Sequence, residues 1–181
     1  MVRTRVGYTG GTKTSPTYTS LGDHSEAIEI EYDPTRVTYE ELLDVFWQNH
    51  NPTVPTWSTQ YKSAIFYHSE EQRQIAVVSM ERRAEQLQED VYTEIVPAGG
   101  FTLAEDYHQK YMLRQNAELA AAYDLIYPDI DNFVASTAVA RVNGYLGGNG
   151  TFASLEVEID SLGLSPQASA SLIDIVRHSG R

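Results

Sequence analysis

The chain has 181 residues, 41% of them hydrophobic, and a formal net charge of −12, which suits one folded domain with an appendage and disfavours a nucleic-acid partner. It contains no cysteine, which excludes disulfides, Cys-ligated metals and a thiol nucleophile within these residues. No apolar stretch approaches the roughly 18 residues that span a bilayer and no secretory signal opens the chain, so we expect a cytoplasmic protein without membrane contact.

Strand and helix patterns alternate through the first hundred residues. Thr38–Glu41 and Ser69–Gln72 have the spacing of capping boxes, and each precedes a helical pattern. This order predicts an α/β or α+β fold in which helices pack on a small mixed sheet. The predicted strands lie near residues 2–8, 26–32, 61–68 and 92–96, and the predicted helices near 38–50 and 69–88.

The last third of the sequence is mostly helical from about residue 118. One helix is predicted from Pro128–Asp131 through Arg141, and Gly144–Gly150 forms a glycine-rich break. Ser165 and Pro166 suit the N-cap and first position of a final helix that ends near His178. We therefore expect two domains, with a boundary near residue 115: residues 1–115 and a helical extension at 116–181.

Three short motifs contain residue types that occur in phosphate-binding, acid-base or metal sites. The segment Gly7–Gly11 lacks the Lys-Ser/Thr continuation of a phosphate-binding loop and is typical of a turn that needs positive φ. Residues 21–26 place an acid and an imidazole before a strand, which fits either a self-capping turn or a general acid at Glu26. Glu105 and His108 have the spacing of helical metal ligands, but the same pattern is typical of a solvated helix start with a packed histidine. We expect no metal and no cofactor.

These motifs belong to an ordered set that is similar to one family. From about residue 2 to residue 114 the chain resembles the A-type peptide-methionine sulfoxide reductases, which reduce the S epimer of methionine sulfoxide. The resemblance implies a two-layer, ferredoxin-like α/β plait. The matching blocks are Gly7-Tyr-Thr-Gly-Gly11, Pro16-Thr-Tyr18, Gly22-Asp-His-Ser-Glu26, Tyr32-Asp-Pro34, Tyr39-Glu-Glu-Leu-Leu43, Phe46-Trp47, His50-Asn-Pro52, Thr59-Gln-Tyr-Lys-Ser-Ala-Ile65 and Ala104-Glu-Asp-Tyr-His-Gln-Lys-Tyr111.

The resemblance also implies roles for three side chains. Glu26 is expected to protonate the sulfoxide oxygen, while Tyr18 and Tyr61 are expected to hold that oxygen. Their polar atoms should therefore face one hollow, with Glu26 at least partly buried so that its carboxyl stays protonated. The implied substrates are proteins or peptides that contain methionine sulfoxide, and free methionine sulfoxide. The implied reductant is thioredoxin or another thiol, in repair of oxidative damage.

The family nucleophile is missing from these residues. The resemblance places a Gly-Cys-Phe-Trp motif, its strand and the following helix ahead of Val2, and it places the pocket for the substrate methyl group there too. The 181 residues alone should therefore show no turnover, because reduction of sulfur needs a two-electron donor. One strand should have an open edge, and the hollow beside Glu26 should open to solvent.

Three hypotheses explain this departure from the family pattern. In the first, the residues are part of a normal reductase whose upstream segment is lost through a displaced start, a missing exon or a selenocysteine codon read as stop. In the second, the chain is a non-catalytic pseudoenzyme that binds methionine sulfoxide. In the third, it is an unrelated α/β domain whose motifs match by chance.

Overall fold

The computed structural model describes residues 2–178, and the chain divides into two compact units. Residues 6–104 form the first, called here the α/β unit. Residues 105–178 together with residues 2–5 form the second, called here the helical unit. The elements up to residue 104 are β1 (Arg3–Thr9), β2 (Ser25–Glu31), α1 (Tyr39–Gln48), β3 (Ala64–Tyr67), α2 (Glu70–Leu87), β4 (Glu94–Pro97) and β5 (Thr102–Leu103).

The strands of the α/β unit form two sheets. In the first sheet β1 lies between β2 and β5, and it pairs antiparallel with β5. In the second, β3 and β4 run parallel and are connected through α2, since parallel neighbours need a long crossover connection. The four predicted strands are confirmed. The prediction of one mixed sheet is wrong, because among residues 2–178 the strands form two sheets, and β2 and β3 are edge strands of different sheets.

Both predicted helices of the α/β unit are present and begin at their predicted caps. Thr38 Oγ1 accepts a hydrogen bond from the Glu41 amide at 3.2 Å, and Glu41 Oε2 accepts one from the Thr38 amide at 2.7 Å. At α2, Ser69 Oγ accepts from the Gln72 amide, but the Gln72 side chain accepts from the amide of His68 instead of Ser69. The N-terminus of each helix is thus fixed by local side chains.

The interior of the α/β unit consists of two small groups of side chains. One lies between α1, α2 and β3, and there Trp47 Nε1 donates a hydrogen bond to Ser79 Oγ at 3.0 Å. The other lies beside β1, where Gly7 allows close packing: a Cβ there would lie 2.4 Å from Phe101 Cζ and from the Thr102 carbonyl oxygen. The buried members are Leu43, Trp47, Ile65 and Ala76 in the first group, and Tyr8, Leu21 and Ala104 in the second.

The helical unit has a single interior cluster. The predicted helix through Arg141 is interrupted at Ser136, whose hydroxyl accepts from the Val139 amide and so starts a new helix. The final helix begins at the predicted cap, since Ser165 Oγ accepts from the Ala168 amide at 3.3 Å. The helices are α3 (Tyr111–Arg114), α4 (Ala117–Ile126), α5 (Ile130–Ala135), α6 (Thr137–Leu146), α7 (Phe152–Glu158) and α8 (Pro166–His178).

One lysine of the helical unit is buried. Lys110 is 5% exposed and adopts a left-handed backbone conformation, with φ of 53°, directly before α3. Its Nζ donates hydrogen bonds to the carbonyl oxygen of Thr4 at 2.5 Å and to Thr4 Oγ1 at 3.0 Å. Because burial disfavours the charged form, the pKa of Lys110 is lowered to about 8.

No helix among residues 2–178 has both the length and the apolar character that crossing a bilayer requires.

Candidate functional site

The three side chains predicted to act together lie in one hydrogen-bonded network. Gln60 Nε2 donates to Glu26 Oε1 at 2.7 Å and to the hydroxyl oxygen of Tyr61 at 3.1 Å. The Tyr61 hydroxyl is in turn hydrogen-bonded to Tyr18. Residues from three separate segments of the α/β unit are therefore brought together, although Tyr18, Glu26 and Tyr61 are far apart in the sequence.

The start of β2 is held against the segment that precedes β3. Ser25, which is 1% exposed, donates its hydroxyl hydrogen to the carbonyl oxygen of Thr59 at 2.7 Å. The next amide, that of Glu26, donates to the carbonyl oxygen of Gln60 at 2.9 Å. These two hydrogen bonds place Glu26 beside Gln60 and Tyr61, independently of any contact made by the Glu26 side chain.

Tyr61 is held as a neutral hydrogen-bond donor. Its hydrogen bond with Tyr18 raises the pKa of the Tyr61 hydroxyl, and partial desolvation, Tyr18 and the negative charge of Glu26 raise it further. A phenol that is already protonated at neutral pH therefore becomes harder to ionise. Such a group can donate to an oxygen atom that carries partial negative charge.

The prediction that Glu26 is at least partly buried is wrong. Glu26 is exposed, and Tyr18 and Tyr61 are 38% and 54% exposed. The physical reason is that Glu26 lies beside an open groove, where solvent reaches its side chain.

The groove lies between the two sheets of the α/β unit and has a volume of about 410 Å³. Edge strands β2 and β3 border it, and α1 contributes apolar side chains to its lining. Ile28 on β2 is 59% exposed there, although its strand alternates charged and apolar residues as a half-buried strand does. The apolar lining includes Ile28, Ile30, Leu42, Phe46, Ile65 and Phe66.

Asp23 and His24 hold a neighbouring loop. Asp23 accepts hydrogen bonds from the Thr12 hydroxyl, the Thr12 amide and the Lys13 amide, and these lower the pKa of its carboxyl to about 2. His24 is 5% exposed; its Nδ1 accepts from the Gly11 amide at 3.2 Å, and its Nε2 lies 2.8 Å from the Lys13 carbonyl oxygen. Of the two hypotheses for residues 21–26, the self-capping turn therefore fits Asp23 and His24. Glu26 instead belongs to the hydrogen-bonded network with Gln60.

Of the other histidines singled out in the sequence, His50 lines the groove, whereas His108 lies in the helical unit. His50 Nδ1 lies 2.8 Å from the Phe46 carbonyl oxygen and Nε2 lies 3.1 Å from Thr93 Oγ1. The His108 ring packs against the Tyr107 ring within a short 3-10 turn, at 4.2 Å between ring centroids and with the ring planes tilted by 45°. Within residues 2–178 no three His, Asp or Glu side chains are grouped as a metal would require.

Two features were not predicted, one within the site and one on the loop that precedes Gln60. Gln60 bridges two of the predicted residues, although no role was predicted for it; its place directly before Tyr61 was the available signal. Trp57 is 95% exposed on the loop between α1 and β3, a rare position for a large aromatic side chain. Nothing in the sequence pattern of that Pro/Thr/Ser loop distinguished Trp57 from a buried tryptophan.

Comparison with protein families gives two matches. Residues 1–151 match the model described as "Peptide methionine sulfoxide reductase". Residues 131–177 match the one described as "Selenoprotein methionine sulfoxide reductase A, helical domain". The second match falls within the helical unit, which agrees with the predicted helical C-terminal part.

Individual relatives and one solved structure agree with these matches. A peptide methionine sulfoxide reductase of Drosophila melanogaster is 41% identical over 92% of this chain and 67% of its own length. A relative from Methanothermobacter thermautotrophicus is 46% identical over 62% of this chain and 73% of its own length. The reduced form of Mxr1 from Saccharomyces cerevisiae superposes with a TM-score of 0.58 and 29% identity, over 62% of this chain and 70% of that one, which confirms the predicted fold class. The chain belongs to the peptide methionine sulfoxide reductase family.

Proposed function

We propose that this chain forms the oxygen-binding part of a peptide-methionine (S)-S-oxide reductase. The observation that carries the proposal is the network in which Gln60 joins Glu26 to Tyr61 and Tyr61 joins Tyr18. In this assignment Tyr18 and Tyr61 hold the sulfoxide oxygen and Glu26 gives it a proton. Residues 1–115 are the reductase-like domain and residues 116–181 are a helical extension.

The reaction needs a group that these residues do not contain. A thiolate attacks the sulfoxide sulfur, the oxygen passes to the attacking sulfur as a sulfenic acid, and the thioether leaves. The substrate sulfur gains two electrons, and the attacking sulfur loses two. Carboxyl and phenol groups polarise the sulfur–oxygen bond but supply no electrons. Because the sequence has no cysteine, the nucleophile must come from polypeptide outside these 181 residues.

The groove is the proposed binding site of the polypeptide that carries the nucleophile. It is bordered by two edge strands, which present backbone donors and acceptors to an added strand, and its lining is largely apolar. Glu26 lines the groove, and its amide donates a hydrogen bond to the carbonyl oxygen of Gln60. A strand inserted there would shield Glu26 from water and bring its end close to the sulfoxide.

The nucleophile is either a thiol or a selenol. A Gly-Cys-Phe-Trp segment supplies a thiol, as the resemblance implies. The match of residues 131–177 to a domain described as part of a selenoprotein supports selenocysteine at the same place. Either group donates the same two electrons, so the proposed roles of Tyr18, Glu26 and Tyr61 do not depend on the choice.

The proposed substrates are proteins or peptides that contain methionine S-sulfoxide, and free methionine sulfoxide. Thioredoxin or another thiol is the proposed reductant of the complete enzyme, in the repair of oxidative damage in the cytoplasm. The net charge of −12 argues against a nucleic-acid partner.

The test is to restore the nucleophile. A segment carrying Gly-Cys-Phe-Trp is fused ahead of Val2, and reduction of methionine S-sulfoxide is followed with dithiothreitol. We expect turnover from the fusion and none from the 181 residues alone. Matched controls are the fusion with serine in place of that cysteine and the fusion with Glu26→Gln, both of which should lose most activity.

Three outcomes decide between the hypotheses. Turnover by the cysteine-free chain would overturn the mechanism. A folded fusion that binds a methionine sulfoxide peptide but does not reduce it would favour the pseudoenzyme. A folded fusion that neither binds nor reduces the sulfoxide would overturn the assignment of the site.

A further inference from the structure

Gln60 contacts Glu26 with both its backbone and its side chain. Its carbonyl oxygen accepts the Glu26 amide hydrogen at 2.9 Å, and its Nε2 donates to Glu26 Oε1 at 2.7 Å. The same Nε2 donates to the Tyr61 hydroxyl oxygen at 3.1 Å. A primary amide nitrogen carries two hydrogens, so both are in use.

The two orientations of the Gln60 amide are not equivalent. If the oxygen and nitrogen were exchanged, the carbonyl oxygen of Gln60 would face a carboxylate oxygen of Glu26 with no hydrogen between them. The observed orientation instead satisfies both partners. The network therefore requires that Nε2 of Gln60, and not its side-chain oxygen, faces Glu26 and Tyr61.

This orientation decides where the other hydrogens point. Oε1 of Glu26 already accepts a hydrogen bond from Gln60, so a proton on the carboxyl belongs on Oε2. The oxygen of Tyr61 likewise accepts from Gln60, so its own hydrogen remains available for another acceptor. One amide thus orients two separate donors.

We propose that Gln60 is a positioning residue, which directs the carboxyl proton of Glu26 and the hydroxyl hydrogen of Tyr61 to one substrate oxygen. The inference rests on the proposed function, because it takes the oxygen to be that of a sulfoxide. Gln60 itself does not touch the reacting atoms. It acts by occupying the acceptor sites that would otherwise allow those hydrogens to point elsewhere.

The first experiment tests the two hydrogen bonds without a ligand. The two Nε2 hydrogens of Gln60 are assigned by NMR in the full chain and in Glu26→Gln and Tyr61→Phe. We expect each variant to shift mainly one of the two resonances, and a different one. If neither resonance responds, Gln60 makes neither bond and the inference is overturned.

The second experiment measures binding of N-acetyl-L-methionine (S)-sulfoxide amide to the full chain. We expect Gln60→Met, which keeps the length but has no N–H, to weaken binding about tenfold. Gln60→Glu, which keeps the shape but has no N–H, should weaken it at least as much. Binding of the corresponding thioether should not change, and Gln74→Met on α2 is the matched control with unchanged binding.

A double variant separates positioning from a purely structural role. In the Gln60→Met background, Tyr61→Phe should cost less binding than in the wild-type chain, because the Tyr61 hydrogen is no longer directed. Additive losses, or unchanged sulfoxide binding in Gln60→Met, would overturn the role of Gln60 alone. If neither the wild-type chain nor the folded fusion with serine in place of the cysteine binds the sulfoxide, the proposed function fails, and the role of Gln60 fails with it.

Discussion

The helical unit and the α/β unit differ in how completely their apolar side chains are covered. Among the described residues, one cluster of thirteen buried side chains fills the helical unit. The α/β unit has two clusters, of four and three. Helices satisfy most of their backbone hydrogen bonds internally, whereas an edge strand needs a neighbour. A helical segment can therefore close its own core, while two sheets that end in edge strands leave a groove between them.

The largest effect is expected from opening the helical core. Leu155→Ala removes a side chain that is 0% exposed and should lower the free energy of unfolding by about 3 kcal/mol. Val157, two positions along α7, is 89% exposed, and Val157→Ala should change it by less than about 0.5 kcal/mol. Urea unfolding followed by circular dichroism measures both. Equal losses would show that the helical core is not closed as described.

A smaller effect is expected in the α/β unit from Ser79→Ala. This change leaves the buried indole N–H of Trp47 without its acceptor, which should cost about 2 kcal/mol. Val78→Ala is the matched control, because Val78 is 63% exposed on the same helix. Hydrogen exchange should speed up mainly in residues 6–104. Equal acceleration in the helical unit would contradict the separation of the two interiors.

Lys110 makes the stability of the helical unit depend on pH. Burial lowers its pKa in the folded chain from 10.5 to about 8, so the unfolded chain holds more protons between these values. Stability should therefore rise as the pH increases from about 8 towards 10.5, with a slope of up to about 1.4 kcal/mol per pH unit. Lys110→Met should remove this rise, and Lys13→Met should keep it. If stability still rises with pH in Lys110→Met, other titrating groups cause the rise.

The smallest expected effect lies at the open site of the α/β unit. Tyr18→Phe removes the hydroxyl group whose hydrogen bond raises the pKa of Tyr61, so that pKa should fall towards 10. Ultraviolet titration of the phenolate measures it. Tyr92→Phe, which alters another exposed tyrosine of the same unit, should leave the Tyr61 titration unchanged. No fall in Tyr18→Phe would mean that the two tyrosines do not interact in solution.

Local signals predicted the elements well. The capping residues Thr38, Ser69 and Ser165 each start a helix where the sequence places it, because a cap involves only neighbouring residues. Ser136 has the same chemistry, but its signal lay within an apolar helical pattern, and the break there was missed. Local sequence therefore indicates helix starts more reliably than it indicates interruptions.

Non-local features were predicted less well. The alternation in β2 indicates a strand but not its neighbours, so the division into two sheets was not foreseen. The exposure of Glu26 depends on what lies across the groove, which the pattern around Glu26 does not report. The bridging role of Gln60 depends on the register between the start of β2 and the segment before β3. Each of these depends on contacts between distant segments.

The placement of the two tryptophans gives the chain two distinct fluorescent reporters. Trp47 is 3% exposed and its indole N–H is bonded to Ser79, whereas Trp57 is 95% exposed. Acrylamide should therefore quench a long-wavelength component from Trp57 while a shorter-wavelength component from Trp47 persists. One emission spectrum can thus follow the loop that precedes Gln60 and the packing between α1 and α2 at the same time, without an added dye.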